Sequence, residues 1–214
     1  MAKVLKGLKV AVLAADGFEQ LELTSPVKAL CKHGAEVEIL SLRRGKIMGV
    51  NGLLPGKRVK VDRTLHSSKA ESYDAVVLPG GLMSPDALRQ SEDALQFVRD
   101  ADRKGLPIAV ICHGPWLLAS AGLVRGRRLT SWPGIQDDLK NAGAVWTDSP
   151  VVRNGNWVSS RSPLDLPVFN ETMVSVFSES MPAERKSPRR WGRWLVGSGL
   201  ALGLARYALA ARSR

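Results

Sequence analysis

The stretch from Pro107 to Trp116 holds the residue types and order that could present a nucleophile. A short apolar run, Ile108 to Ile111, stops at Cys112, and His113, Gly114 and Pro115 follow before another apolar stretch. This reads as a buried strand, a sharp turn and a helix start. Gly114 leaves room for a tight backbone, and Pro115 suits a first helical position, where its missing N–H costs nothing. A thiol held there faces the positive end of a helix, which predicts a lowered pKa and a reactive thiolate. The alternative is a small buried side chain closing a core strand. The residues immediately after Cys112 favour chemistry.

The rest of the chain supplies elements that can position this turn. Leu8 to Ala14 is strand-like, and Leu23, Val27, Leu30 and Cys31 recur at helical spacing before Gly34. Glu36 to Leu42 alternates as a strand, and Ile47 to Val61, with Asn51-Gly52 and Pro55-Gly56, reads as a hairpin excursion. Ala75 to Leu78 is a buried strand ending at Pro79-Gly80-Gly81. Ala94, Phe97, Val98 and Ala101 mark a helix face closed by Gly105. Further on come a short strand at Arg128 to Ser131, a helix through Ile135, Leu139 and Ala142, a hairpin turning at Asn154-Gly155-Asn156, and a last helix from Leu166 to Phe177. Strands alternate with helices and several are apolar throughout. The pattern predicts an α/β fold with a mostly parallel, flavodoxin-like sheet sandwiched by helices. Sites in such sheets form beyond the carboxyl ends of strands, which nominates three loops: Asp16 to Gln20, Pro79 to Leu82 and Cys112 to Gly114.

The chain has 214 residues, 44% of them hydrophobic, enough for one sizeable core without staples. Two cysteines, Cys31 and Cys112, with no paired spacing, fit a reducing compartment and a cytoplasmic protein. The apolar run after Lys3, Lys6 and Lys9 is too short for a secretory signal core and is read as the first strand. Formal charge is +11, but residues 181–214 hold eight of the 31 cationic residues and one of the 20 acidic ones. The tail is therefore +7 and the body only +4, so no specific nucleic-acid binding is expected of the body. The expected organisation is an α/β domain over 1–180, a linker over 181–190, and a basic, apolar tail helix over 191–214. Three readings of residues 191–211 stand open: membrane-surface contact, docking onto the body or a partner copy, and a disordered basic end.

Four stretches taken together resemble the PfpI family of intracellular cysteine proteases and deglycases, within the superfamily that shares the class I glutamine amidotransferase-like fold. They are Asp16 to Leu23, Leu78 to Gly81, Ile111 to Pro115, and Ser131 to Asp138; Gly155 to Arg161 adds a fifth. The likeness covers about residues 8–178. It implies Cys112 as nucleophile and Glu19 as the carboxyl that meets it. It also implies Gly80 and Gly81 as backbone donors to an oxyanion. Gly114 is expected to leave a further N–H free beside the nucleophile. In the protease-like branch, the histidine at His113 pairs with an acidic residue of a neighbouring subunit. Asp86 stands at that position, one methylene shorter than the Glu of that branch, and a homo-oligomer, a dimer or hexamer, is implied.

The resemblance implies a cysteine hydrolase acting in stress protection. Two chemistries stay open: removal of methylglyoxal or glyoxal adducts, in deglycase or glyoxalase fashion, and peptidase activity. The alternative from another class is a redox-sensing stress protein or chaperone that uses oxidation of Cys112 without turnover. A glutamine amidotransferase needs a histidine well downstream of its cysteine. His33, His66 and His113 are the only histidines, so that class is excluded. The tail is too short and too glycine-rich for the helix-turn-helix of related regulators. No cofactor is expected, and one Cys, one His and one Glu do not make a closed metal site.

Overall fold

The computed structural model describes residues 3–181. The linker beyond Met181 and the tail helix expected over 191–214 lie outside the described residues. The strands are β1 (Lys9–Leu13), β2 (Phe18–Glu19), β3 (Glu36–Ser41), β4 (Lys46–Asn51), β5 (Leu54–Lys60), β6 (Arg63–Thr64), β7 (Ala75–Leu78), β8 (Ile108–Ile111), β9 (Arg128–Leu129), β10 (Val145–Trp146), β11 (Val151–Asn154) and β12 (Trp157–Ser160). The helices are α1 (Gln20–Lys32), α2 (Met83–Arg89), α3 (Glu92–Arg103), α4 (Pro115–Ser120), α5 (Gln136–Asn141) and α6 (Leu166–Glu179).

Seven strands form the main sheet in the order β11-β12-β8-β7-β1-β3-β6. Every pairing in it is parallel except the edge hairpin of β11 with β12. The central strands are apolar throughout because both faces are covered. Alternate residues go to opposite cores. Ala11, Leu13, Val76, Leu78, Ile108 and Val110 pack with Phe97 and Val98 of α3 and Leu117 of α4. Val10, Val12, Val77, Ala109 and Ile111 pack with Leu23 and Leu30 of α1 and Phe169 and Met173 of α6. The period of two along each strand fixes this division.

The excursion after β3 is a hairpin, as expected. Strands β4 and β5 pair antiparallel, and β4 also pairs with β2. This small sheet braces the loop after β1. Gly17 donates its N–H to the Met48 carbonyl at 2.7 Å, and Met48 donates to Asp16 Oδ1 at 2.8 Å. The brace sets where α1 begins. Two features differ from the sequence reading. Cys31 is exposed, because the buried stripe of α1 runs through Glu22, Leu23, Pro26 and Leu30 instead. Helix α2 was not expected: it is only seven residues long and holds Pro85 in its first turn, where a proline is tolerated. Among the described residues, no helix is long and apolar enough to cross a membrane.

Candidate active site

The three nominated loops meet beyond the carboxyl ends of β1, β7 and β8. Glu19 donates its N–H to the Gly80 carbonyl at 3.2 Å, joining the first two. At the third, β8 ends on Cys112, whose φ of 62° makes it the one non-glycine among the described residues with a positive φ. A side chain held in this sparsely populated region stores strain that the surroundings must impose. Here Cys112 donates its N–H to Ser160 O at 3.1 Å, and its carbonyl accepts from Trp132 N–H at 2.9 Å. The turn then enters α4 with Pro115 in its first turn. The thiol is projected from this elbow into a buried space.

Glu22, not Glu19, meets the thiol. Glu22 is fully buried, and Oε2 accepts the Gly80 N–H at 2.8 Å. Its Oε1 has no conventional hydrogen-bond partner, and the carboxyl's other interaction is with the Cys112 thiol. Glu19 lies one helical turn away and turns outward. Its Oε2 accepts the Gly52 N–H at 2.9 Å, which ties the tip of the β4–β5 hairpin to the start of α1. The spacing held the signal. Glu22, Pro26 and Leu30 recur every four residues, so a carboxyl sits on the apolar stripe of α1 while Leu21 is exposed.

Burial dominates the electrostatics. It lifts the Glu22 carboxyl from 4.5 to about 8, against the hydrogen bonds with Cys112 and Gly80 that favour its ionised form. Glu22 therefore carries its proton at neutral pH. The Cys112 thiol is not lowered as the helix argument predicted. Burial first, then the charge of an ionised Glu22, hold it well above its ordinary value, while the N–H groups of Gly81 and His113 pull the other way. Helix α4 has only six residues, too few to offset this. The two acids titrate as one unit. The first proton to leave is the carboxyl's, because the Gly80 N–H holds the Glu22 carboxylate, while the Gly81 and His113 N–H groups ease the shift of the thiol's proton onto that carboxylate. His113 Nδ1 lies 3.1 Å from Sγ, and burial lowers this imidazole's pKa, leaving it neutral at pH 7.

The backbone donors are rearranged relative to expectation. The Gly80 N–H is taken by Glu22, and the Gly114 N–H is bonded to Ile111 O at 2.9 Å, so neither is free for an oxyanion. Gly81 and His113 supply the N–H groups at the sulfur. The close approach requires glycine: a Cβ on Gly80 would stand 2.6 Å from both Cys112 Cβ and Glu22 Oε2. Asp86, on α2, accepts from Arg89 Nε at 2.9 Å and Gln90 Nε2 at 3.1 Å, and within the chain no hydrogen bond joins it to His113. Two indoles flank His113, Trp116 edge-on at 5.1 Å and Trp132 stacked at 6.0 Å between ring centroids. In the sequence both stand only within the longer motifs Ile111 to Trp116 and Ser131 to Asp138. Among the described residues, no group of three or more His, Cys, Asp or Glu side chains is disposed to hold a metal ion.

These features define a class: α/β proteins with a cysteine at a strained strand-to-helix elbow and a buried carboxyl from the first helix against its sulfur. A family model described as the DJ-1/PfpI family matches residues 8–176. Deglycase PH1704 of Pyrococcus horikoshii is 48% identical over 169 residues, covering 79% of this chain and 99% of that protein. The putative cysteine protease YraA of Bacillus subtilis is 38% identical over 169 residues, covering 78% and 97%. A solved two-domain protein from Anabaena variabilis, with DJ-1/ThiJ/PfpI-like and ferritin-like domains, matches with a TM-score of 0.73 at 37% identity. That match covers 78% of this chain and 49% of the other, so the chain spans about half of the two-domain protein. The chain belongs to the DJ-1/PfpI family.

Proposed function

We propose that this chain is an enzyme in which Cys112 attacks an electrophilic carbon of a small dicarbonyl adduct, with Glu22 delivering and recovering the proton. The observation that carries this is the neutral, buried Glu22 carboxyl against a sulfur that two backbone N–H groups also face. The Pyrococcus relative is named a deglycase, which supports adduct removal here, and the Bacillus relative is named a cysteine protease, which supports a cysteine nucleophile.

For an aminocarbinol formed from methylglyoxal, the reacting pair has lost one proton to solvent; the thiol's proton shifts to the Glu22 carboxylate as Sγ bonds to the carbinol carbon and its C–N bond breaks. The departing nitrogen takes the Glu22 proton, and the repaired amine leaves. The Glu22 carboxylate then moves the carbinol C–H proton to the neighbouring carbon through the enediol, which leaves a thioester of a 2-hydroxy acid. Water adds, the C–S bond breaks, and the hydroxy acid departs as the thiol regains its proton. A buried, nearly dry carboxyl suits both proton transfers, because its raised pKa lies close to the working pH.

The test is turnover of methylglyoxal-treated N-acetylcysteine and N-acetylarginine by wild type, Cys112→Ser and Glu22→Ala. Loss of at least about a hundredfold in both variants is expected. Cys112→Ser retaining a tenth or more of wild-type turnover sinks the proposal. One observation favours a second reading. His113 Nδ1 within 3.1 Å of Sγ suits a peptidase, in which His113 manages the proton. That reading needs an acid on His113. The chain's own Asp86 is engaged with Arg89, so a second copy in a homo-oligomer would have to supply it. Peptide turnover abolished by Asp86→Asn would mark that case.

A further inference from the structure

Beside the elbow stands an indole whose placement the proposed chemistry does not use. Trp132 is 43% exposed although its backbone N–H is bonded to the carbonyl of Cys112 itself. Its position relative to the sulfur is therefore fixed through one hydrogen bond. One face of the ring stacks on His113 at 22° between planes. Gly134 lies under its edge: a Cβ there would come 2.9 Å from Trp132 Nε1 and 3.0 Å from Cδ1. The Trp132-Pro133-Gly134 turn thus holds an exposed aromatic plane in one orientation beside the elbow.

The next ring shows what such a plane recognises in this setting. The Arg89 guanidinium lies over Trp116 with its carbon 4.8 Å from the centroid, while Arg89 Nε binds Asp86. Trp116 in turn donates its Nε1–H to Asp138 Oδ2 at 2.8 Å. Asp138 Oδ1 carries no hydrogen bond among the described residues, and neighbouring Asp137 is largely exposed. One guanidinium, one indole and one carboxylate are already assembled within the chain. Asp137 is ion-paired with Lys140 at 3.7 Å, but Trp132, stacked on the same His113 that Trp116 meets edge-on, carries no cation among the described residues.

We infer that Trp132 is a specificity-determining platform for a planar cation, and that the site prefers adducts carried on arginine guanidinium groups over adducts carried on thiols. The inference rests on the proposed use of Cys112 and adds the choice of substrate. A guanidinium lies flat on an indole and keeps its charge there, which a thiol adduct cannot do.

A binding readout tests this without relying on turnover. In the full-length protein, protection of Cys112 from iodoacetamide is measured with N-acetylarginine amide and with its uncharged isostere, N-acetylcitrulline amide. The arginine compound is expected to protect about tenfold more tightly than the citrulline one. Trp132→Leu should erase that difference and Trp132→Phe should keep much of it. Gly134→Ala, which displaces the ring without removing it, should weaken arginine protection. Equal protection by the two compounds, or an arginine preference that survives Trp132→Leu, overturns the inference. In turnover, Trp132→Leu should raise KM for the arginine adduct more than for the thiol adduct. An active wild-type enzyme whose ratio is insensitive to Trp132 removes the platform alone. An enzyme still active as Cys112→Ser removes the underlying chemistry.

Discussion

At the scale of the residue, one carboxyl is central to the proposed chemistry and also costs stability. Glu22 holds a proton when folded up to about pH 8, whereas the unfolded chain releases it near 4.5. The folded state therefore binds more protons across that window. Stability is full below the unfolded value and falls as pH rises toward 8, by about 1.4 kcal/mol per pH unit at the steepest. Replacing Glu22 with Gln removes this titration and keeps the shape. Urea unfolding at pH 5 and pH 8 should show wild type losing a few kcal/mol more than Glu22→Gln between the two. Equal losses would mean that Glu22 is not held protonated. The family resemblance places this role on Glu19 within the Asp16 to Leu23 stretch, whereas the apolar stripe of α1 points to Glu22.

At the scale of the element, the site depends on loops packed closer than side chains allow. Gly81 has a φ of 83°, and a Cβ there would run into the Gly17 carbonyl and lie 2.5 Å from Glu19 N. Gly122 has a similar φ of 78° with nothing within 4 Å of a Cβ. Alanine at Gly122 should cost about 1 kcal/mol, the conformational part alone. Alanine at Gly81 should cost several kcal/mol more in thermal or denaturant unfolding. Similar costs at the two positions would argue against tight loop packing. Much at this scale was legible in the sequence: the apolar strands, the hairpin at Asn51-Gly52, the turn at Gly155 and the elbow at Cys112. The partners of backbone groups were not. Pro-Gly-Gly suggests two free N–H groups, but whether one is already taken by a carboxyl from α1 depends on how helix and sheet pack.

At the scale of the whole molecule, the sheet order brings together β1, β7 and β8, which lie far apart in the chain but adjacent in the sheet. A carboxyl near residue 20, backbone near residue 80 and a sulfur at residue 112 thereby become one titrating unit. Composition and periodicity reach the parallel sheet, because burial on both faces writes itself into apolar strands. They do not reach the pKa of a thiol, which several distant groups set together. That coupling is the central claim, and the pH dependence of Cys112 alkylation in wild type, Glu22→Gln and Glu19→Gln tests it most directly. Glu22→Gln removes the carboxylate whose charge and hydrogen bond hold the thiol up, and its midpoint should move downward by about one pH unit. Glu19→Gln should leave the midpoint where it is. A midpoint that ignores Glu22, or one that moves with Glu19 instead, would contradict the account.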